Sequence, residues 1–303
     1  MSKILSLMGV GTKLGRNIII NAVESALDEA ITQNKSKYIA LLDISNAHQC
    51  VRRQRLLDKL TAVPDVDPEL LSFLQHSFQQ EVLQLDRPGT VTQIHNSSRV
   101  QQGCPLSHSL FSFYISDAMT EAEKANVEVW GSLDDLMMIA DTLAELEKSV
   151  ATITTTLNRD GLSLNPSKTE LVVVNNGNLL SERVELLGTV IDTKTEVKLL
   201  GSLVTNQQAS RDHFFELKME KVTSNLRALA ELSHQTHLLF LRQCLLAKPI
   251  YLLNSMLISP TVLERADKTI TQHHISSLGI PQSKDLLINV PLKEGGLGIP
   301  SFA

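Results

Sequence analysis

Little in this chain is aromatic: Phe, Trp and Tyr make up 4% of its 303 residues, and Trp130 is the single tryptophan. A surface that grips nucleic acid mainly by stacking bases on rings is therefore short of residues. Cysteine is scarcer still. Cys50, Cys104 and Cys244 are far apart, odd in number and in no CxxC arrangement. That excludes a disulfide framework and a zinc ribbon, and a reducing compartment is the expectation. No apolar run is long enough to span a bilayer, and "MSKILSLMGVG" is a poor signal peptide. The expected location is intracellular, cytoplasmic or nuclear, with no membrane partner. No internal repeat or low-complexity tract is evident. Charge of one sign is also wanting: the formal net charge is −5, so global electrostatics do not advertise a polyanion.

What charge there is lies unevenly. Residues 1–60 carry nine Lys/Arg against five Asp/Glu, whereas residues 115–150 carry nine Asp/Glu against Lys124 and Lys148. An acidic site flanked by more basic surface suits a metal with a polyanion nearby; a solvated acidic helix face gives the same run.

Periodicity divides the chain into two parts. "GRNIIINAVESALDEAITQ" has helical spacing at Ile19, Val23, Ala26 and Ala30. "KYIALLDIS" is almost continuously apolar up to Asp43, the mark of a strand buried on both faces. Further on, "DPELLSFLQHSF" predicts a helix with Asp67 as N-cap and Pro68 in its first turn. "EVLQLDRPGTVTQIH" predicts a hairpin turning at Asp86 to Gly89. "PLSHSLFSFYISDAMTEAEK" reads as an amphipathic helix, and "VEVWGSLDDLMMIAD" as strand, tight turn, strand. Leu143, Leu146, Val150, Ile153 and Leu157 step by three and four in a helix stopped at Gly161. "TELVVVNN" is a strand, and "RVELLGTVI" with "EVKLLGSLV" suggests a further hairpin. Beyond Ser210 the pattern is helical, broken at Pro260, Pro281 and Pro291. Residues 1–205 are expected to be α+β and 206–303 all-α, with the boundary near "TNQQASRD".

The chemistry centres on carboxylates. Asp43 ends a buried strand, and Asp134 and Asp135 sit at the turn of a hairpin. Acids in such positions are costly unless a cation compensates them. If the strands are neighbours, three carboxylates converge, and hard cations such as Mg²⁺ take carboxylate oxygens together with substrate phosphates. A solvated turn is the bland alternative for the Asp134–Asp135 pair.

At this point the order of blocks resembles a family, the reverse transcriptase domain of non-long-terminal-repeat retrotransposons, over nearly the whole chain. "LLDISNAHQCV" resembles the first catalytic block. "RVQQGCPLSHSLF" is similar to Gln-Gly-x-Pro-Leu-Ser-Pro-x-Leu-Phe. "SLDD" holds the place of aromatic-x-Asp-Asp. "GLSLNPSKTELV" is similar to Gly-Leu-x-Leu-Asn-x-x-Lys-Thr, and "RQCLLAKPIYLL" and "GGLGIPS" resemble thumb and later segments. The resemblance implies a polymerase palm over residues 1–205, an antiparallel sheet with helices on one face, and an all-α thumb-like region over 206–303. It implies an RNA-directed DNA polymerase that uses an RNA template, a DNA primer and deoxynucleoside triphosphates. Asp43, Asp134 and Asp135 would be the catalytic acids and hold two Mg²⁺ ions, with Mn²⁺ as a substitute. His48, Gln102, Gly103 and Lys168 would bind nucleotide and template, with Lys168 near the triphosphate. Leu200 and Gly201, in Leu199–Gly201, are taken as the primer grip, with Leu186–Gly188 as the competing placement.

Six positions depart from the family's habit. His48 replaces an aromatic residue beside the sugar, and Gln49 a second Asp. Ser132 replaces the aromatic before the Asp pair and Leu133 a small residue, while Arg99 falls where Gly is expected and His108 where Pro is expected. "GVGTKLGRNIIINAV" already resembles the segment before the first catalytic strand, so the expectation is a chain without fingers or an upstream endonuclease. One alternative follows, a catalytically inactive nucleic-acid-binding relic of such an element; the carboxylates alone would also suit a template-free two-metal phosphohydrolase, against which the neighbouring blocks argue. Elsewhere the bland readings prevail. Gly9, Gly11 and Gly15 lack the strand and offset of a dinucleotide fingerprint. His234 with His237, and His273 with His274, read as surface or helix-end histidines, and Cys104, Phe113 and Tyr114 as core. Arg52, Arg53 and Arg55 are either phosphate contacts or a solvated helix start.

Overall fold

The computed structural model describes residues 15–64, 66–80, 82–87, 90–95, 98–101, 103–229, 232–277, 288–294 and 296–303. They form two compact units, Met1–Thr195 and Glu196–Ala303. The division falls at Thr195 rather than Thr205, because the hairpin of residues 196–205 belongs with the helices that follow it.

In the first unit the elements run α1 (Gly15–Thr32), β1 (Lys37–Asp43), α2 (Arg53–Thr61), α3 (Pro68–Gln80), β2 (Val82–Arg87), β3 (Thr90–His95), α4 (Pro105–Glu123), β4 (Glu128–Ser132), β5 (Asp135–Ala140), α5 (Leu143–Arg159), β6 (Glu170–Asn175), β7 (Asn178–Leu179), β8 (Arg183–Leu186) and β9 (Thr189–Asp192). Five strands make an antiparallel sheet in the order β4-β5-β1-β6-β7. Alternation sends Ala40, Leu42, Leu136, Met138, Leu171 and Val173 to one face, where they join a core with α4 and α5 residues such as Phe111, Ile115, Leu146 and Ile153. Ile39, Leu41, Met137, Ile139, Val172 and Val174 point the other way and are buried as well. There α1 packs on β1 and β6, its stripe of Ile19, Ile20, Val23, Leu27 and Ala30 buried. The α+β class and the antiparallel sheet match the expectation; α1 adds cover on the second face, as the continuous apolar run of β1 requires.

Local signals account for the helix ends. The Asp67 carboxylate accepts from the Glu69 amide at 2.8 Å. Thr142 and Glu145 form a reciprocal capping box at the start of α5. After α5 the chain turns at Gly161, whose φ of 87° is the left-handed conformation of a helix stop. Arg53 and Arg55 are engaged by partners within the fold. Arg53 is 4% exposed and donates to the carbonyls of Arg99 and Phe78 at 3.0 and 3.1 Å. Arg55 pairs with Asp160, 2% exposed, at 3.0 Å, and Lys59 bridges Asp117 at 3.0 Å and Asp160 at 3.5 Å. Tyr114, buried as expected, donates its hydroxyl to the Asp160 carbonyl. This network ties α2 and α4 to the end of α5.

The second unit is not wholly helical. It opens with the hairpin β10 (Glu196–Leu199) and β11 (Ser202–Thr205), followed by α6 (Gln208–Leu229), α7 (His234–Phe240), α8 (Ala247–Leu253) and α9 (Pro260–Ser277). Leu203, Phe214, Phe215, Met219, Leu226, Leu246, Leu252, Val262, Ile270 and Phe302 share its core. Pro260 occupies the first position of α9, Pro291 precedes a short 3₁₀ turn at Leu292–Glu294, and Pro281 lies outside the described residues. His237 is not a surface histidine: it is buried, with its ring centroid 6.3 Å from that of His273. A repeat missed in the sequence also emerges. Hairpins β8–β9 and β10–β11 share the pattern Val-x-Leu-Leu-Gly, and in each the Leu-Gly pair forms a two-residue turn with both φ values positive. No described helix is long and apolar enough to cross a membrane.

Candidate active site

The buried run Ile39–Leu42 makes Asp43 the first polar residue at the end of β1. Its position is fixed by pairing. Tyr38 stands opposite Ala140, and the register continues residue by residue to Asp43 opposite Asp135. On the other side of β5, Asp135 pairs with Ser132, so β4 and β5 are joined by Leu133 and Asp134 alone. Leu133 takes a φ of 59°, a conformation unfavourable for a side chain of its size. The turn is held to β1 by the Ile44 amide, which donates to the Asp134 carbonyl at 2.9 Å.

A second segment closes on the same strand end. The Asn165 amide donates to the Asp43 carbonyl at 2.8 Å, and the Ser45 amide to the Ser163 carbonyl at 2.8 Å. The Asn165 side chain accepts from the Ser167 amide and hydroxyl at 3.2 and 2.7 Å, shaping the turn Pro166–Lys168. Lys168 is thereby presented to Asp43, and its ammonium donates to both carboxylate oxygens at 3.0 and 3.2 Å. The contact with Asp43 holds the lysine above its usual pKa. Burial, then the charges of Asp134 and Asp43, push the Asp135 carboxyl above the usual range, while Lys168 and Arg16 pull the other way. Like charges directly opposite across strands add to the cost of burying the Asp135 carboxylate.

Asp43, Ser45, Asn46, His48, Asp134 and Lys168 line a polar cavity of about 360 Å³. Asp135 and Gly103 are not among its lining residues. His48 stacks on Phe111 with ring centroids 5.1 Å apart and meets His108 edge-on at 5.8 Å. Burial, then His108, lowers its pKa, against an opposing pull from Asp134. Gly103 has a φ of 88° with open space where a Cβ would stand. Backbone conformation therefore favours glycine there. Gln102 lies outside the described residues. Arg99, where the resemblance leads one to expect glycine, has a φ of 79°. Leu200 and Gly201 form the turn of β10–β11 in the second unit, with the Leu200 carbonyl accepting from the Tyr251 hydroxyl at 2.6 Å. The competing turn at Leu187–Gly188 belongs to the same unit as Asp43. Asn165, which docks the lysine turn, was missed; its signal was an Asn-Pro-Ser step just ahead of a block lysine.

Among the described residues no group of three or more His, Cys, Asp or Glu is arranged to hold a metal ion. The convergence of three acids is thus looser than expected. The donor set still suits a hard cation, because Mg²⁺ takes one or two carboxylates plus substrate phosphates rather than an all-protein cage, and Asp43 and Asp134 line one cavity.

Residues 10–281 match the family described as reverse transcriptase (RNA-dependent DNA polymerase). The chain belongs to that family. Among characterised relatives it is similar to the retrovirus-related Pol polyprotein from type-1 retrotransposable element R2 of Nasonia vitripennis, at 25% identity over 92% of this chain and 29% of that protein. It is likewise similar to the R2 polyprotein of Bradysia coprophila, at 24% identity over 93% of this chain and 34% of that one. The chain therefore spans about a third of the length of these relatives. In fold it resembles the apo telomerase from Candida tropicalis, with a TM-score of 0.51 at 12% identity, covering 90% of this chain and 46% of the telomerase.

Proposed function

We propose that this chain forms the palm and thumb of a retroelement's RNA-directed DNA polymerase, extending a DNA primer on an RNA template with deoxynucleoside triphosphates. The observation that carries the reading is the pairing of Asp43 with Asp135 across β1 and β5, one residue from Asp134. On this reading Asp43 and Asp134 hold divalent cations, Mg²⁺ or Mn²⁺, and Asp135 completes the acidic cluster. Such ions, when bound, neutralise charge on the transferring phosphoryl group. The protein's own part is positioning. The Lys168 ammonium meets the anionic phosphates, His48 on its Phe111 support borders the sugar, and Gln102 and Gly103 adjoin nucleotide and template. The Leu200–Gly201 turn is the proposed primer grip, and Leu187–Gly188 its competitor.

The second unit supports a nucleic-acid partner. Lys198 and Lys218 place their ammonium groups 5.9 and 4.7 Å from the centre of the Phe214 ring. Burial, then Lys221, Lys198 and Lys248, holds Lys218 below its usual pKa. None of these four lysines has a carboxylate partner among the described residues. Concentrated positive charge of this kind suits a phosphate backbone.

Primer extension on an RNA template with Mg²⁺ or Mn²⁺ tests the proposal. Wild-type protein is expected to incorporate nucleotides, and Asp134→Ala with Asp135→Ala to fall to background; equal background from both would overturn it. The departures at His48, Gln49 and Ser132 favour a second reading, a relic that binds duplex without extending it. Retention on primer–template duplex at low salt with no incorporation would select that reading.

A further inference from the structure

The ion pair between Lys168 and Asp43 bears on how the site is charged before it works. The acid is the less exposed partner and the lysine the more accessible one, with side chains 17% and 63% exposed. Three backbone connections, Ile44 to Asp134, Asn165 to Asp43 and Ser45 to Ser163, hold the acid and the lysine turn in place. Among the described residues the lysine's ammonium is held by both oxygens of one carboxylate. Asp43 and Lys168 both line the cavity in which the proposed cation would sit.

We infer that Lys168 is an exchangeable counter-ion: it neutralises Asp43 until a divalent cation takes the carboxylate, and its release frees the ammonium for the phosphates arriving with that cation. This rests on the proposed role of Asp43 as an ion ligand. A hard cation must approach a carboxylate oxygen to roughly 2.0–2.1 Å, and an ammonium already on both oxygens opposes it by occupancy and by like charge. Lysine suits the exchange. Its charge sits on a flexible four-carbon stem, and an exposed ion pair of this kind is weak enough to break. Arginine would bind the carboxylate with a planar fork and leave less readily. Because one ammonium serves two anions in turn, binding of the cation and of the nucleotide are coupled through this side chain.

The test is direct Mn²⁺ binding to the whole chain, read by electron paramagnetic resonance without catalysis, alongside nucleotide binding by equilibrium dialysis. Lys168→Met and Lys168→Gln should bind Mn²⁺ about fivefold or more tightly than wild type in the absence of nucleotide, and bind the Mn²⁺–nucleotide complex more weakly. Lys168→Arg should bind Mn²⁺ more weakly than wild type. Melting temperatures identify any variant that has lost its fold; the exposure of the lysine side chain favours retention in both neutral variants. Asp43→Asn separates the two levels of the argument. If it binds Mn²⁺ as well as wild type, Asp43 is no ligand and the exchange falls with that reading. If it loses the ion while Lys168→Met and Lys168→Gln leave affinity unchanged or lowered, the exchange alone is overturned.

Discussion

At the scale of single residues, the site combines an uncomfortable acid with a borrowed base. Asp135 faces Asp43 across the sheet and follows Asp134 in the chain, and its carboxyl takes up a proton more readily than an ordinary Asp does. The linkage has a definite sign. Above the raised pKa both folded and unfolded chains carry the charge, and the folded state bears its cost. As pH falls through the raised value towards the ordinary one, the folded chain binds the proton first and gains stability. In the metal-free protein Asp135→Asn should therefore raise the melting temperature at neutral pH, with the gain shrinking as pH approaches the normal Asp range. Denaturation at several pH values checks this; a gain independent of pH would mean that burial of the charge is not the cause. Loss of primer extension should accompany the gain, since functional sites trade stability for charge placement.

Among elements, the twin hairpins carry a strain that can be relieved. Both place leucine at the first position of a two-residue turn with positive φ, where Asn or Gly is preferred. Leu187 is 47% exposed and has a φ of 49°, so Leu187→Asn sacrifices little burial. It should stabilise the protein by about 0.5–1 kcal/mol, measured by urea denaturation; a loss would show that the leucine's contacts outweigh the strain. Elements of this size were legible where their patterns are local. The unbroken apolar run announced β1, the steps of three and four announced α5, and the ordered blocks singled out Asp43, Asp134, Asp135 and Lys168. What was hidden depends on distant partners. Arg55 looked like a solvated helix start because Asp160 lies 105 residues away. His237 looked exposed because the His273 ring that covers it comes from another helix. The hairpin of residues 196–205 was placed with the sheet because its strand pattern carries no mark of the unit it joins.

For the molecule as a whole, a net charge of −5 coexists with a lysine cluster in one unit and an acidic site in the other. On the proposed function net charge is a poor guide to partners, and salt dependence is the better one. Lys218→Glu with Lys221→Glu should weaken binding to primer–template duplex and reduce the slope of log affinity against log salt by about one per lysine. Fluorescence anisotropy across a salt series measures this; an unchanged slope would remove these lysines from the contact. The pairing of β1 with β5 sets a stricter condition. Side chains alternate with a period of two, so a slip of one position would exchange the two buried faces of β1, setting Ile39 and Leu41 where Ala40 and Leu42 now pack. Asp43 would leave the cavity in the same step. The register that packs this sheet is thus the one that sets Asp43 opposite Asp135, so the strand pairing itself aligns the two acids.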